Sequence, residues 1–92
     1  MAEAKITYDL ESTLSAPDGG VLKSIAVTVE IEPASAGCLI YGWQKDGNMG
    51  CVEVRGARTE LDLPFCQPKI LVKYLLGLKN LKIQTRGFRL ER

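Results

Sequence analysis

The sequence contains no histidine, and this absence excludes more chemistry than any other feature of its composition. Without imidazole there is no Ser-His or Cys-His pair to activate a nucleophile, and the commonest general acid or base at neutral pH is missing. Imidazole metal ligands are missing too, and the three cysteines, Cys38, Cys51 and Cys66, form no Cys-x-x-Cys pair. The sequence therefore predicts no enzymatic activity, no metal site and no cofactor.

Long apolar runs are also absent. No segment approaches the roughly 20 apolar residues that a membrane-spanning helix needs, and Met1–Lys5 lacks the apolar core of a secretory signal peptide. An odd number of widely spaced cysteines favours reduced thiols over disulfides. With 46% apolar and 25% charged residues in a chain of 92, these absences predict a single small domain, residues 1–92, in the cytoplasm and without membrane contact.

The net charge of +1 conceals an uneven distribution of acids and bases. Residues 1–33 hold six acids and two bases, whereas residues 63–92 hold seven bases and one acid. Such a separation is typical either of a nucleic-acid-binding surface or of two surfaces that neutralise each other. The sequence alone leaves both interpretations open.

Alternating apolar and polar residues indicate β-strands through most of the chain. Ile6–Leu14 and Val21–Glu32 both alternate with period two. Ala16–Gly19, between them, has the Pro-Asp-Gly composition of a tight turn. These features predict a hairpin, and the register that collects its apolar side chains on one face pairs Tyr8 with Val27.

A second hairpin is predicted from Cys38–Gln44 and Met49–Arg55, joined by the turn residues 45–48. Pairing Gln44 with Met49 sets the bulky Trp43 opposite Gly50, because large and small residues fill facing positions well. In this register the first strand turns three side chains toward the core: Leu39, Tyr41 and Trp43.

Two further strands are predicted nearer the end of the chain. Ala57–Leu63 alternates and is ended by Pro64. Alternation resumes at Leu81, but the phase of the apolar residues slips by one position around Arg86-Gly87. A slip of this kind at a glycine predicts a β-bulge.

Pro68–Leu78 is the only segment with helical periodicity. Pro68 suits the first helical position, and four apolar residues follow at the i, i+3, i+4, i+7 spacing: Leu71, Tyr74, Leu75 and Leu78. The predicted fold class is therefore α+β. We expect a mostly antiparallel sheet of five to six strands (two hairpins, one further strand and a closing strand) covered on one face by this single helix.

Two groups of residues are candidate binding sites. Trp43 and Met49 lie near the tip of the second hairpin and would form a contact patch if exposed, because such side chains anchor protein interfaces; the alternative is that Trp43 is a core residue. The last strand combines cations with an aromatic ring, as single-stranded nucleic-acid binders do: Lys82, Arg86, Phe88 and Arg89.

These observations predict a small non-enzymatic interaction module. Catalytic motifs are missing, while the strand pattern predicts an open sheet whose polar face and edges could contact another protein or a second copy of the chain, giving a homodimer. The alternative prediction is a single-stranded nucleic-acid-binding protein that uses the basic C-terminal third.

Overall fold

The computed structural model describes residues 5–9 and 21–91, and these residues form β-strands and turns but no helix. The seven strands are β1 (Lys5–Asp9), β2 (Val21–Glu32), β3 (Gly37–Trp43), β4 (Met49–Arg55), β5 (Arg58–Leu63), β6 (Lys69–Tyr74) and β7 (Asn80–Glu91). Sheet A has the order β1-β6-β3-β4 and sheet B the order β5-β2-β7, and every pairing is antiparallel. The predicted α+β class is therefore wrong, and the fold is all-β.

Alternation along the strands gives each sheet one apolar face, and these two faces form a single core between the sheets. Ile25, Val27 and Val29 of sheet B are fully buried, as are Ile40 and Val72 of sheet A. Further core residues come from both sheets and from the segment after β5: Ile31, Cys38, Val54, Leu63, Phe65 and Ile70. A second sheet thus covers the first, where the sequence had predicted a helix.

The helix predicted over Pro68–Leu78 is wrong because its two halves belong to different structures. The first half is β6, in which the fully buried Ile70 and Val72 alternate with outward-facing residues. The second half is a turn, where the Leu78 N–H donates to the Leu75 carbonyl at 3.2 Å. The four apolar residues at helical spacing are thus shared between a strand and a turn.

The first predicted hairpin is also wrong. β1 lies at an edge of sheet A, with Tyr8 opposite Ile70 of β6 instead of Val27. β2 is the central strand of sheet B, and its two sides are occupied by β5 and β7. Ile6, predicted to pair with Val29, likewise lies opposite Val72 of β6. The other predicted pairs of this hairpin involve Leu10, Ser12 and Leu14, which lie outside the described residues.

The second hairpin is confirmed as β3 and β4, but its predicted register is wrong by one residue. Trp43 is opposite Met49, not Gly50. The shift exchanges the two faces of β3, so the core-facing positions are Cys38, Ile40 and Gly42. The cause is Phe65, a fully buried side chain whose ring occupies the space above Gly42, where any Cβ would overlap it.

The fifth and closing strands are confirmed as β5 and β7, and so is the bulge. Ala26 and Val27 are consecutive on β2 but lie opposite Gly87 and Thr85, which leaves Arg86 as the extra residue of β7. The bulge shifts the phase of β7, so apolar residues on both sides of it pack against the core: Ile83 and Phe88. Without the extra residue, either Ile83 or Phe88 would face solvent.

Candidate functional site

The outer face of sheet A carries a contiguous group of apolar side chains centred on β3. Trp43 is 41% exposed and Met49 is 46% exposed, and they lie directly opposite each other. We name this surface the Trp43–Met49 patch; its members are Leu39, Tyr41, Trp43, Met49, Cys51 and Leu71. Both partner-binding residues proposed from the sequence are therefore at the surface and next to each other.

The patch extends across three strands. Tyr41 lies opposite Cys51 of β4 and opposite Leu71 of β6. Residues directly opposite each other in an antiparallel pair have Cβ atoms roughly 4.5–5.5 Å apart. These apolar side chains therefore form one continuous surface, with Trp43 and Met49 at its most exposed end.

The backbone at Trp43 is held by the segment that follows β5. Its carbonyl accepts hydrogen bonds from the Cys66 N–H at 2.8 Å and from the Cys66 thiol at 3.3 Å. The neighbouring Phe65 ring lies against Gly42. Trp43 is thus held on a rigid strand end, and such preorganisation reduces the entropy lost on binding.

The tip of the hairpin is ordered by local hydrogen bonds. The Gly47 N–H donates to the Gln44 carbonyl at 3.0 Å, and the Asn48 N–H donates to Asp46 Oδ1 at 2.9 Å. Gly47 has φ of +86°, a left-handed conformation that glycine adopts without strain. This turn fixes β3 and β4 in the register that places Trp43 beside Met49.

A small cavity opens beside the exposed end of the patch. It has a volume of about 180 Å³, and apolar side chains form most of its wall, with the exposed Lys69 at its rim. Its lining residues are Tyr41, Gly42, Trp43, Met49, Lys69, Ile70 and Leu71. Because small-molecule pockets are usually about 300–1,000 Å³, this cavity is of a size for one side chain.

The charges around the patch differ between its two sides. On β6, Lys69 and Lys73 are the outward-facing neighbours of Leu71 along the strand. On β4, the Glu53 carboxylate forms an ion pair with the Arg55 guanidinium. Lys69 and Lys73 therefore line the β6 side of the patch, while on β4 an acid and a base form an ion pair.

β4 is an edge strand whose only neighbour among the described strands is β3. The Gln44 N–H donates to the Asn48 carbonyl at 2.9 Å, and this bond sets which residue pairs of the hairpin are hydrogen-bonded. Alternate residues of β4 therefore direct their backbone N–H and C=O groups away from β3: Met49, Cys51 and Glu53. The hairpin register runs without a bulge, so this part of the edge is regular.

Of the four residues of the nucleic-acid alternative, the three cations are exposed and Phe88 is half-buried. The Phe88 ring packs against the core. Arg89 lies 3.6 Å from the Asp62 carboxylate, and Arg86 donates to the Val27 carbonyl at 3.4 Å. Each of these groups thus has a neighbour within the fold.

Lys82, the fourth of these residues, lies opposite Glu30 on β2. An acid from the first third of the chain thus faces a base from the last third. This one cross-strand position matches the second of the two interpretations of the charge distribution.

Among the described residues, two groups have a clearly perturbed pKa: Cys38, which is in the core, and Tyr8, which is half-buried and packs against it. Burial raises the pKa of the Cys38 thiol to about 11, so this thiol is protonated at neutral pH. Burial, and then a hydrogen bond with Tyr74, raise the pKa of Tyr8 to about 12. Neither group is poised for acid–base chemistry near pH 7.

Within residues 5–9 and 21–91, no three acidic or cysteine side chains gather where they could hold a metal ion. The same part of the chain forms no helix able to cross a membrane. No family model, curated protein or solved structure matches the chain.

Sequence reasoning found Trp43 and Met49 but missed most of the surface around them. Leu39 and Tyr41 had been predicted to face the core, and Leu71 had been placed on a helix. A signal was present in β6, where outward Lys69, Leu71 and Lys73 alternate with inward Ile70 and Val72. Period-two alternation of this kind is typical of a strand.

Proposed function

We propose that this protein is a non-enzymatic interaction module that binds another protein through the Trp43–Met49 patch. The observation that carries the proposal is the exposed cross-strand pair of Trp43 and Met49 on a rigid sheet. Tryptophan and methionine are enriched in interface cores, and tryptophan is among the commonest anchors of binding energy. A contiguous exposed apolar surface of this kind is a mark of interaction sites.

The contrast between the outer faces of the two sheets supports this assignment. On sheet B, Thr28 is flanked by Glu60 of β5 and Gln84 of β7, and Glu30 is flanked by Arg58 and Lys82. Thr28 is buried although it lies on this outer face, and the charged side chains around it gain little from association. On sheet A, a partner would remove apolar surface from water, which is worth roughly 25 cal/mol per Å² before the entropic losses of binding.

A second copy of the chain is one partner that the fold could accommodate. The outward N–H and C=O groups of Met49, Cys51 and Glu53 could pair with the same groups of another β4. An antiparallel pairing about a two-fold axis joins identical edges and closes after two copies. The resulting sheet would be continuous across the dimer and would carry both Trp43–Met49 patches on one face.

The proposal is tested by replacing the two exposed anchors together. We expect the Trp43→Ala, Met49→Ala variant to fold normally and to lose affinity for its protein partner by roughly tenfold or more. The measurement is quantitative retention of bound proteins by the immobilised chain.

The matched control is Leu76→Ala, which removes a large apolar side chain that is 75% exposed and lies outside the patch. This variant should bind as the unmodified chain does. Equal binding by the double variant and the unmodified chain would contradict the proposal.

A further inference from the structure

We infer that the cavity beside Trp43 accepts a partner segment in which an apolar side chain stands next to a carboxylate. This inference rests on the function proposed above and specifies the chemistry of the partner. It depends on three properties of the cavity: its size, its apolar wall and the cation at its rim.

Size limits the occupant to a single side chain. The volume of about 180 Å³ is below the range of pockets that enclose a whole small molecule. The walls come from Trp43 and Met49 on the hairpin and from Leu71 on β6, so no polar group of the partner is needed inside. An aliphatic or aromatic side chain of an extended segment fits these constraints.

The positive charge at the cavity determines which kind of partner residue can lie beside the apolar side chain. Lys69 is exposed at the rim of the cavity, and Lys73 lies two positions further along the same face of β6. The acid on β4, Glu53, already forms an ion pair with Arg55. A partner carboxylate next to the apolar anchor would meet the Lys69 ammonium, whereas a partner cation would be repelled.

Trp43 is the only tryptophan in the chain, so its fluorescence reports on the site without labelling. The probe is a capped peptide with leucine between two glutamates and glycine at both ends. We expect it to shift Trp43 emission saturably, with a dissociation constant in roughly the millimolar range that is usual for so small an interface. The affinity should fall as salt is raised, because the ammonium is exposed.

Two further peptides separate the contributions of charge and apolar contact. Replacing both glutamates by glutamine should weaken binding roughly two- to fivefold, the effect of an exposed ion pair. Replacing leucine by alanine should abolish the saturable shift. Equal affinities for the glutamate and glutamine peptides, or no saturable shift with the leucine peptides, would overturn the inference.

A charge variant tests the assigned cation. In Lys69→Gln the glutamate and glutamine peptides should bind equally, whereas the control Lys82→Gln, on the outer face of sheet B, should keep the difference. Retention of the difference in Lys69→Gln would overturn the assignment.

The tests of the function and of this inference fail separately. If the Trp43→Ala, Met49→Ala variant loses its protein partner but no peptide binds, the interaction function stands and the partner chemistry is wrong. If that variant keeps its partner, both are wrong.

Discussion

Gly42 and Phe65 are in direct contact, with the aromatic ring lying where the Cβ of any other residue at position 42 would be. The contact joins β3 to the segment that follows β5 and sets which face of β3 is turned inward. Because Trp43 is the next residue along the strand, it must point to the opposite, outer face. An internal packing contact therefore determines the exposure of the proposed binding residue.

We expect Gly42→Ala to destabilise the fold by about 1–3 kcal/mol, the usual effect of forcing an extra carbon into a packed core. The matched control is Gly50→Ala, where the added Cβ would meet the flexible end of the Gln44 side chain, which can move aside. Urea unfolding of both variants measures the difference. Equal losses in the two variants would show that the contact with Phe65 is not what excludes a side chain.

The three thiols should react with iodoacetamide at very different rates. Cys51 is exposed, Cys66 is half-buried with its thiol donating to the Trp43 carbonyl, and Cys38 is buried. Mass spectrometry of the native protein should therefore find labelling first at Cys51 and then at Cys66. Cys38 should react only after unfolding, since burial raises its pKa to about 11 and blocks access. Early labelling of Cys38 would contradict the described core.

Stability should fall at alkaline pH. The folded state raises the pKa of Cys38 from 9.0 to about 11 and that of Tyr8 from 10.0 to about 12. Between about pH 9 and 12 the unfolded chain thus binds fewer protons at these two groups, so their contribution to the free energy of unfolding is constant below this window and decreases through it. Urea midpoints measured across the window test this.

The Cys38→Ala variant isolates the contribution of the thiol to this pH dependence. It should show a shallower decrease between pH 9 and about 11, the range over which the Cys38 pKa differs between the two states. A urea midpoint in the unmodified protein that does not change across this range would rule out the effect.

Local sequence signals predicted the parts of the fold whose partners are close in the chain. The β3–β4 hairpin, β5, β7 and the bulge at Arg86 all follow from alternation and turn chemistry. The register of the hairpin was wrong because it depends on Phe65, which reaches Gly42 from another part of the chain. No pattern within residues 37–55 contains that information.

The other errors concern β1 and β6, which are neighbouring strands of sheet A. β1 alternates like a hairpin partner of β2, but it pairs instead with β6, more than 60 residues away, as Tyr8 opposite Ile70 shows. β6 was assigned to a helix because the turn after it supplied Leu75 and Leu78 at helical spacing. The patch was found only in part for this reason, since Leu71 joins it through the pairing of β6 with β3.

Deleting Arg86 should be far more damaging than replacing it. The deletion removes the extra residue of the bulge and would turn Phe88, which packs on the core, toward the outer face. We expect a loss of about 3–5 kcal/mol, comparable to removing a buried aromatic side chain. Arg86→Ala loses only a long hydrogen bond to the Val27 carbonyl, 3.4 Å, and should change stability by less than about 1 kcal/mol. Thermal unfolding compares the deletion variant with Arg86→Ala. Equal unfolding midpoints for the two would contradict the proposed role of the bulge.

Self-association through β4 should be sensitive to the backbone N–H of Cys51. Cys51→Pro removes an N–H that points away from β3, so the hairpin keeps its own hydrogen bonds while an added strand loses one. The control Cys51→Ala removes the thiol but keeps the N–H. Light scattering should show that the alanine variant associates as the unmodified chain does and that the proline variant is monomeric. A dimer in both variants would place any self-association elsewhere.

The pairing of β2 with β7 also determines the order in which the chain can fold during synthesis. β2 is complete at Glu32, but the strands on its two sides are residues 58–63 and 80–91. β2 cannot pair along both of its edges until β7 has left the ribosome. The β3–β4 hairpin forms long before that point. Through that interval the apolar face of β2 is exposed and its second edge is open, which is the condition under which nascent chains engage chaperones or aggregate. Sheet B is thus completed only after residues 80–91 emerge, and a ribosome stalled before that point would hold a chain whose core is still open to water.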